Sequence, residues 1–389
     1  MTAQLKAGVI GLGLLGSGYV NLFREQPEIK LTAVADIRAD KAQEVGTQTG
    51  AQPYTNYLDM LKEHKLDVVA VATPDHLHKE PVLAAIRAGV PTVIQEKPMA
   101  TTVADAEEML EVAEKAKTRI FIAYANRGSS PLDGATYYVI RQGLLGEIIH
   151  GEIQVDDHIS VPTRMWGARS KEWAGGSSSA HFLLSHVVDY LRWLMAPAEI
   201  TQVYAISQQK VLGYTPDLYD AFLTFSNGAK FRAKGGWIKH IDGVVEFTLS
   251  FTGAEGTLNY IKIPGFGQVE GWRANVSDRI SPEEVLAHQQ TLSDQGINVR
   301  TLLHRSAIRS PWMGDNKELR RSLEAFVLPG NWWRLAHSFL DAILEDTLTP
   351  TSWNQYGPLP TGIDGLRQTQ VVCAIVESAK TGRVIDLER

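Results

Sequence analysis

Between Ala7 and Asp36 the chain runs strand, glycine turn, helix, strand, acid, and that order leaves few folds open. Ala7, Val9 and Ile10 make a short apolar run, Gly11, Gly13 and Gly16 follow at the G-x-G-x-x-G spacing, and Leu31 to Ala35 close on Asp36. Gly11 permits a tight turn, Gly13 lets backbone approach a pyrophosphate, and Gly16 lets helix and sheet pack closely. The helix opening at Leu14 and Leu15 presents unpaired N–H groups to an anion. Asp36 falls about 20 residues beyond Gly16, where a carboxylate accepts from a ribose 2′-hydroxyl and repels a 2′-phosphate. That favours NAD over NADP, while Arg38, two places on past Ile37, is a guanidinium able to rescue a phosphate. Alone the motif is also compatible with a glycine turn that binds nothing. The flanking strand, helix and acid give it the dinucleotide reading.

At 389 residues the chain is long enough for two domains. A net charge of -6 argues against a nucleic-acid surface, which needs a basic patch to replace counterions. No stretch is apolar enough to span a bilayer, and the first strand begins within a few residues, leaving no room for a signal peptide. The single cysteine, Cys373, lies in an apolar helical run and reads as a packed side chain in a reducing, cytoplasmic setting. With no second thiol and no H-x-x-x-H cluster, no metal site is expected.

After Asp36, helices are expected over Lys41 to Gly50 and Tyr54 to His64. Asp67 to Thr73 is a nearly continuous apolar run ending in Thr73-Pro74, the pattern of a strand buried on both faces of a parallel sheet. Ligands sit outside the carboxyl ends of such strands, which puts Thr73, Pro74, His76 and His78 beside the dinucleotide; on such a loop, histidines also serve as cap or packing residues. A helix over His78 to Ala88, the strand Thr92 to Gln95, a helix over Val103 to Ala116 and the strand Arg119 to Ala123 complete a doubly wound α/β domain over residues 1–125. Beyond Gly146 the pattern changes. Glu147 to Asp156, Ile200 to Ser207, Ala221 to Ser226, Ala229 to Trp237 and Val244 to Thr252 are rich in β-branched and aromatic residues. They predict a large, mostly antiparallel sheet in an α+β domain over 126–389, one face for helices and the other open to a second subunit. Asn259 to Arg321, with Trp272, His304 and Trp312, shows no regular pattern. Trp332 to Glu345 and Gly362 to Ala379 return to helical spacing, as helices that pack back on the first domain.

Lys97 stands where a strand of the nucleotide-binding sheet ends, between Glu96 and Pro98. A cis proline there would aim the ammonium one way. Burial and the positive charge of an oxidised nicotinamide both favour the neutral amine, which can take a proton from a substrate hydroxyl. A second cluster, Gly175 to Leu194, reads as a glycine-serine start followed by one amphipathic helix. There His181, Ser185 and Asp189 share a face, and His186 and Asp189 are i, i+3 neighbours. Either histidine can assist proton transfer, or simply cap the helix.

The combination of GVIGLGLLG, AVADIR, DVVAVATPDHLH, EKPMA, Tyr124 to Arg127, GEI and a glycine-led helix with His186 and Asp189 resembles the glucose-fructose oxidoreductase, inositol dehydrogenase and rhizopine-catabolism (Gfo/Idh/MocA) family. The resemblance implies a Rossmann domain, an open C-terminal sheet used for homo-oligomer contacts, NAD(P), and a sugar or cyclitol substrate. It implies that Lys97 is the catalytic lysine, followed by the family's proline, and that His186 is the helix histidine. It extends the cofactor set to Glu96 and Lys97 and the substrate set to Tyr124, Arg127 and Asp189. One departure matters: many members carry an aspartate four residues before the histidine, where this chain has Phe182, with His181 beside it.

Three functions follow. The first is an NAD-dependent oxidoreductase moving hydride between a pyranose hydroxyl carbon and nicotinamide, with Lys97 taking the proton and His186 and His181 assisting. The second, implied by some relatives, is a redox-neutral glycosidase that oxidises a sugar transiently, eliminates the aglycone, adds water and returns the hydride. Relatives of that kind include enzymes for sulfoquinovosides. Arg164, Trp166, Arg169, Lys171 and Trp173 offer cationic and N–H donors for a sulfonate, and equally for neutral sugar hydroxyls; otherwise they are a solvated loop. The third is a non-catalytic NAD-binding sensor, against which the Lys97 and His186 pair argues.

Overall fold

The computed structural model describes residues 4–263, 271–305, 319–326 and 330–387. Trp312 lies outside them, as does the side chain of His304. The chain divides into two compact units: Met1–Ala125, Glu172–His186 and Trp333–Cys373 form the first, and Asn126–Lys171, Val187–Trp332 and Ala374–Arg389 the second.

The first unit is built on six parallel strands: β1 (Leu5–Ile10), β2 (Ile29–Ala35), β3 (Gln52–Tyr54), β4 (Val68–Val71), β5 (Thr92–Gln95) and β6 (Arg119–Ile122). Their spatial order is β3-β2-β1-β4-β5-β6. Every residue of β4 and β5 is buried, as a strand covered by helices on both faces requires. The connections leave β1 towards β2 on one side and resume at β4 on the other, so the crevice outside their carboxyl ends is a topological switch point. The helices α1 (Leu14–Glu25), α2 (Ala39–Thr49), α3 (Tyr57–Glu63), α4 (Lys79–Arg87) and α5 (Val103–Ala116) supply the crossovers. Thr102 caps α5 by accepting from the Asp105 N–H. From later in the chain, the helix Arg334–Leu344 joins this unit, with Phe339 stacked on Phe121 at 4.7 Å.

The second unit holds a ten-stranded sheet. Its strands are β7 (Ile148–His158), β8 (Ile200–Gln208), β9 (Leu218–Phe225), β10 (Lys230–Lys239), β11 (Val245–Gly253), β12 (Thr257–Ile263), β13 (Gly271–Asn275), β14 (Arg300–Arg305), β15 (Leu319–Ala325) and β16 (Ile385–Asp386). They are ordered β14-β15-β13-β12-β11-β7-β10-β9-β8-β16. Among the described strands of this sheet, only the β7–β10 pair is parallel. One face buries an aromatic lattice in which Phe225, Phe231 and Phe251 meet edge to face. On β8 and β9 the opposite face leaves Tyr204 and Phe222 exposed and directly paired across the strands. The stretch Asn259 to Arg321, which showed no pattern in sequence, contributes β13, β14 and a helix, Pro282–Asp294, closed by a Ser281–Glu284 capping box.

Candidate active site

At the switch point Gly11 adopts φ +87°, and a Cβ there would lie 2.6 Å from the Ala72 carbonyl oxygen. A Cβ on Gly16 would lie 1.8 Å from the Gly11 carbonyl oxygen, so that glycine is demanded by close packing. Gly13 differs. It precedes the first turn of α1, and a Cβ there would meet nothing within 4 Å, so the space before the helix N–H groups is open. The Asp36 carboxylate bends back to accept from the Leu12 N–H at 2.8 Å and the Arg38 N–H at 2.9 Å, with the Arg38 guanidinium 3.4 Å away. Leu14 and Ile37 flank this arrangement 68% and 75% exposed, an unusual investment for large apolar side chains, and Leu15 is half-buried. An open, N–H-lined gap, a carboxylate and two apolar rims fit the pyrophosphate, ribose and adenine of NAD.

The segment after β4 carries Thr73, whose hydroxyl donates to the Leu77 carbonyl at 3.0 Å, then Pro74 and a short 3₁₀ turn, Asp75–Leu77. His76 is exposed. His78 is buried, with Nδ1 2.7 Å from the Pro98 carbonyl and Nε2 2.8 Å from the Thr73 carbonyl. Burial pushes its pKa down, and a neutral ring donates to only one of the two. Asp75 is buried and accepts from the Trp173 indole N–H at 3.2 Å and the Ser177 hydroxyl at 2.6 Å, which ties the 173–177 segment to the end of β4.

From the end of β5 come Glu96 and Lys97, both buried, and a cis bond to Pro98. Burial pushes the Glu96 carboxyl up to about 7, against the opposing pull of Lys97 and of the Tyr19 hydroxyl that donates to it at 2.9 Å. Tyr19 in turn meets the Trp333 ring edge to face at 5.3 Å. The Lys97 ammonium donates to the Phe182 carbonyl at 3.0 Å and stands 3.4 Å from the centroid of the Phe182 ring.

The stretch Gly175 to Leu194 is not the single regular helix its spacing suggested. A helix Ser170–Gly176 ends, a π-helical turn spans Ala180–Leu184, and a new helix runs Ser185–Met195. An i→i+5 turn holds one residue more than an α turn, which rotates the register by about 100° and ends the shared face of His181, Ser185 and Asp189. His181 Nδ1 lies 2.8 Å from the Ser178 hydroxyl, the Thr101 backbone also hydrogen-bonds the ring, and burial pushes its pKa down. The Ser185 hydroxyl donates to the Phe182 carbonyl at 3.0 Å, and His186 is buried.

Among the remaining candidates, Tyr124 is buried and donates to Gln368 at 2.7 Å. In the second unit Arg127 and Asp189 form a buried bidentate pair at 2.8 and 2.5 Å. Arg164, Arg169 and Lys171 are exposed there, and Trp166 is half-buried with its backbone N–H donating to the Ser170 hydroxyl at 2.8 Å. The Lys171 ammonium lies 5.9 Å from the Tyr214 ring centroid. Sequence reasoning passed over Asp75, Tyr19 and Trp333, and saw Phe182 only as a missing carboxylate. Among the described residues no cluster of three or more His, Cys, Asp or Glu is arranged to hold a metal, and no helix is long and apolar enough to cross a membrane.

This geometry is that of a dinucleotide-binding Rossmann fold joined to a large, mostly antiparallel sheet. Residues 5–124 match the family described as "Oxidoreductase family, NAD-binding Rossmann fold", and residues 137–259 match the "GFO/IDH/MocA C-terminal domain". The chain belongs to the Gfo/Idh/MocA oxidoreductase family, and its first unit is an NAD-binding Rossmann domain. It is 26% identical over 200 residues to an inositol 2-dehydrogenase of Salmonella typhimurium, covering 49% of this chain and 54% of that protein. It is 29% identical over 188 residues to a glycosyl hydrolase family 109 protein of Shewanella amazonensis, covering 45% and 40% respectively. The chain spans about half the length of the curated relatives it matches. A levoglucosan dehydrogenase solved with NADH and L-sorbose superimposes with a TM-score of 0.74 at 19% identity, covering 100% of both chains; that likeness is one of fold.

Proposed function

We propose that the protein is an NAD-dependent oxidoreductase acting on a hydroxyl-bearing carbon of a pyranose sugar or derivative. When bound, NAD supplies the hydride acceptor, or the donor in reverse, at the nicotinamide C4. The open N–H groups before α1 hold the pyrophosphate, and Asp36 holds the ribose. Lys97 Nζ exchanges the proton of the reacting hydroxyl, and His186 orients that hydroxyl. His181, turned to Ser178 and Thr101, supports the turn that carries Phe182.

The observation that carries this reading is the buried Lys97 ammonium at the carboxyl end of β5, set against Phe182 from a separate part of the chain. A specific observation also favours a second reading, redox-neutral glycoside cleavage: Phe182 stands where many members of the family carry an aspartate, and a glycosyl hydrolase family 109 protein is among the relatives. In that reading Arg164, Arg169, Lys171 and the two nearby tryptophans receive an anionic sugar such as a sulfosugar glycoside. The half-exposed face of the second unit's sheet, with Tyr204 and Phe222, supports a homo-oligomer. A panel of free sugars and aryl glycosides, scored for reduced-cofactor absorbance and for released aglycone, tests both. Steady NADH with a free sugar supports the first reading, and aglycone release without net NADH supports the second.

A further inference from the structure

We infer that Phe182 is a positioning residue for the Lys97 amine, seating it through its backbone carbonyl and setting its proton affinity through the face of its ring. This deepens the proposed function and rests on Lys97 being the proton-exchanging group there. The π-helical turn Ala180–Leu184 carries the Phe182 carbonyl to Lys97 Nζ at 3.0 Å, while the ring centroid lies 3.4 Å from the same nitrogen. A cation against an aromatic face is stabilised by the ring quadrupole, most strongly where water is excluded, and Lys97 is only 5% exposed. The ring itself is held: Trp173 meets it edge to face at 4.8 Å and 84°, and Asp75 accepts from the Trp173 N–H. An aromatic ring thus holds the amine where a carboxylate would hold it through full charge, and it releases the proton more readily than a carboxylate would.

Among the described residues, Glu96 beside it in the chain and His78 after β4 interact electrostatically with Lys97; Asp75 acts on both of those groups, and His181 and His186 lie on the segment that carries or follows Phe182. Substitutions at Phe182 leave all of these in place, and they leave the carbonyl too, so they test the ring. Phe182→Leu keeps bulk and excludes water but has no quadrupole, Phe182→Tyr keeps the ring, and Phe182→Asp restores a carboxylate.

Two readouts are taken on each full-length variant. One is the acid limb of the pH profile of kcat/KM. The other is the pH dependence of Lys97 modification by an amine-reactive reagent, resolved by peptide mass spectrometry, which needs no turnover. The inference expects both midpoints to fall by about 0.5–1.5 pH units in Phe182→Leu, to stay in Phe182→Tyr, and to rise in Phe182→Asp. A Phe182→Leu labelling midpoint equal to or above that of the wild type overturns it. If Lys97→Ala retains turnover while the labelling order holds, the functional reading fails and the ring assignment stands.

Discussion

The Lys97 ammonium and the Phe182 ring, 85 residues apart in the chain, lie 3.4 Å from nitrogen to centroid, and the Phe182 carbonyl takes a hydrogen bond from the same nitrogen. Where many members of the family carry an aspartate, this chain brings a quadrupole and a backbone dipole to the Lys97 amine. The consequences run through the neighbouring residues.

Glu96 makes stability depend on pH. Its pKa is raised from 4.5 to about 7 by burial, so the folded protein binds a proton that the unfolded chain releases between those values. The resulting stabilisation is full below about pH 4.5 and is lost as pH rises through 7. The swing is about 3 kcal/mol at order of magnitude. In cofactor-free urea unfolding, Glu96→Gln should gain stability relative to the wild type between pH 5 and pH 8 by roughly that amount. A difference that stays constant over the range contradicts the assignment.

The glycines separate packing from ligand binding. Gly16→Ala places a Cβ 1.8 Å from the Gly11 carbonyl oxygen and should destabilise the protein by about 2 kcal/mol or more. Gly13→Val meets no protein atom within 4 Å of its Cβ. Thermal unfolding of that variant should stay within a few degrees of wild type, while NAD affinity measured by calorimetry falls at least about tenfold.

Arg127 and Asp189 are 3% and 1% exposed and paired, so removing one partner strands a buried charge. Arg127→Met should cost about 3–5 kcal/mol in denaturant unfolding, and the double variant Arg127→Met/Asp189→Leu should recover most of that loss. An additive double-mutant cycle would show that the pair is not coupled.

On the open sheet face, Phe222 is 56% exposed opposite Tyr204, with Asp220 and Arg232 paired beside it. If that face joins copies of the chain, Phe222→Lys lowers the mass seen by light scattering at micromolar protein without changing the far-ultraviolet spectrum. An unchanged mass contradicts a contact through that face.

Much of what was decided locally could be read in the sequence. Gly11 and Gly16 are fixed by close backbone contacts, Gly13 and Asp36 sit at a spacing that is legible in a short stretch of chain, and the apolar runs of β4 and β5 announce a sheet covered on both sides. Phe182 was hidden because its partner is distant and a π-helical turn shifts the phase of every helical-face argument that crosses it. Asp75 reads as an ordinary turn acid after Thr73-Pro74, and only the fold brings Trp173 and Ser177 to it. The helix Pro282–Asp294 was missed despite a visible cue, Ser281 with Glu284 three residues on, because the strands around it alternate weakly.

The most direct test of the central claim is Lys97→Met, with NAD affinity and single-turnover hydride transfer measured on the substrate that the sugar panel identifies. The account predicts NAD affinity within a few-fold of wild type and a rate reduced by about 10²–10⁴. A variant that binds NAD and turns over at the wild-type rate would contradict it.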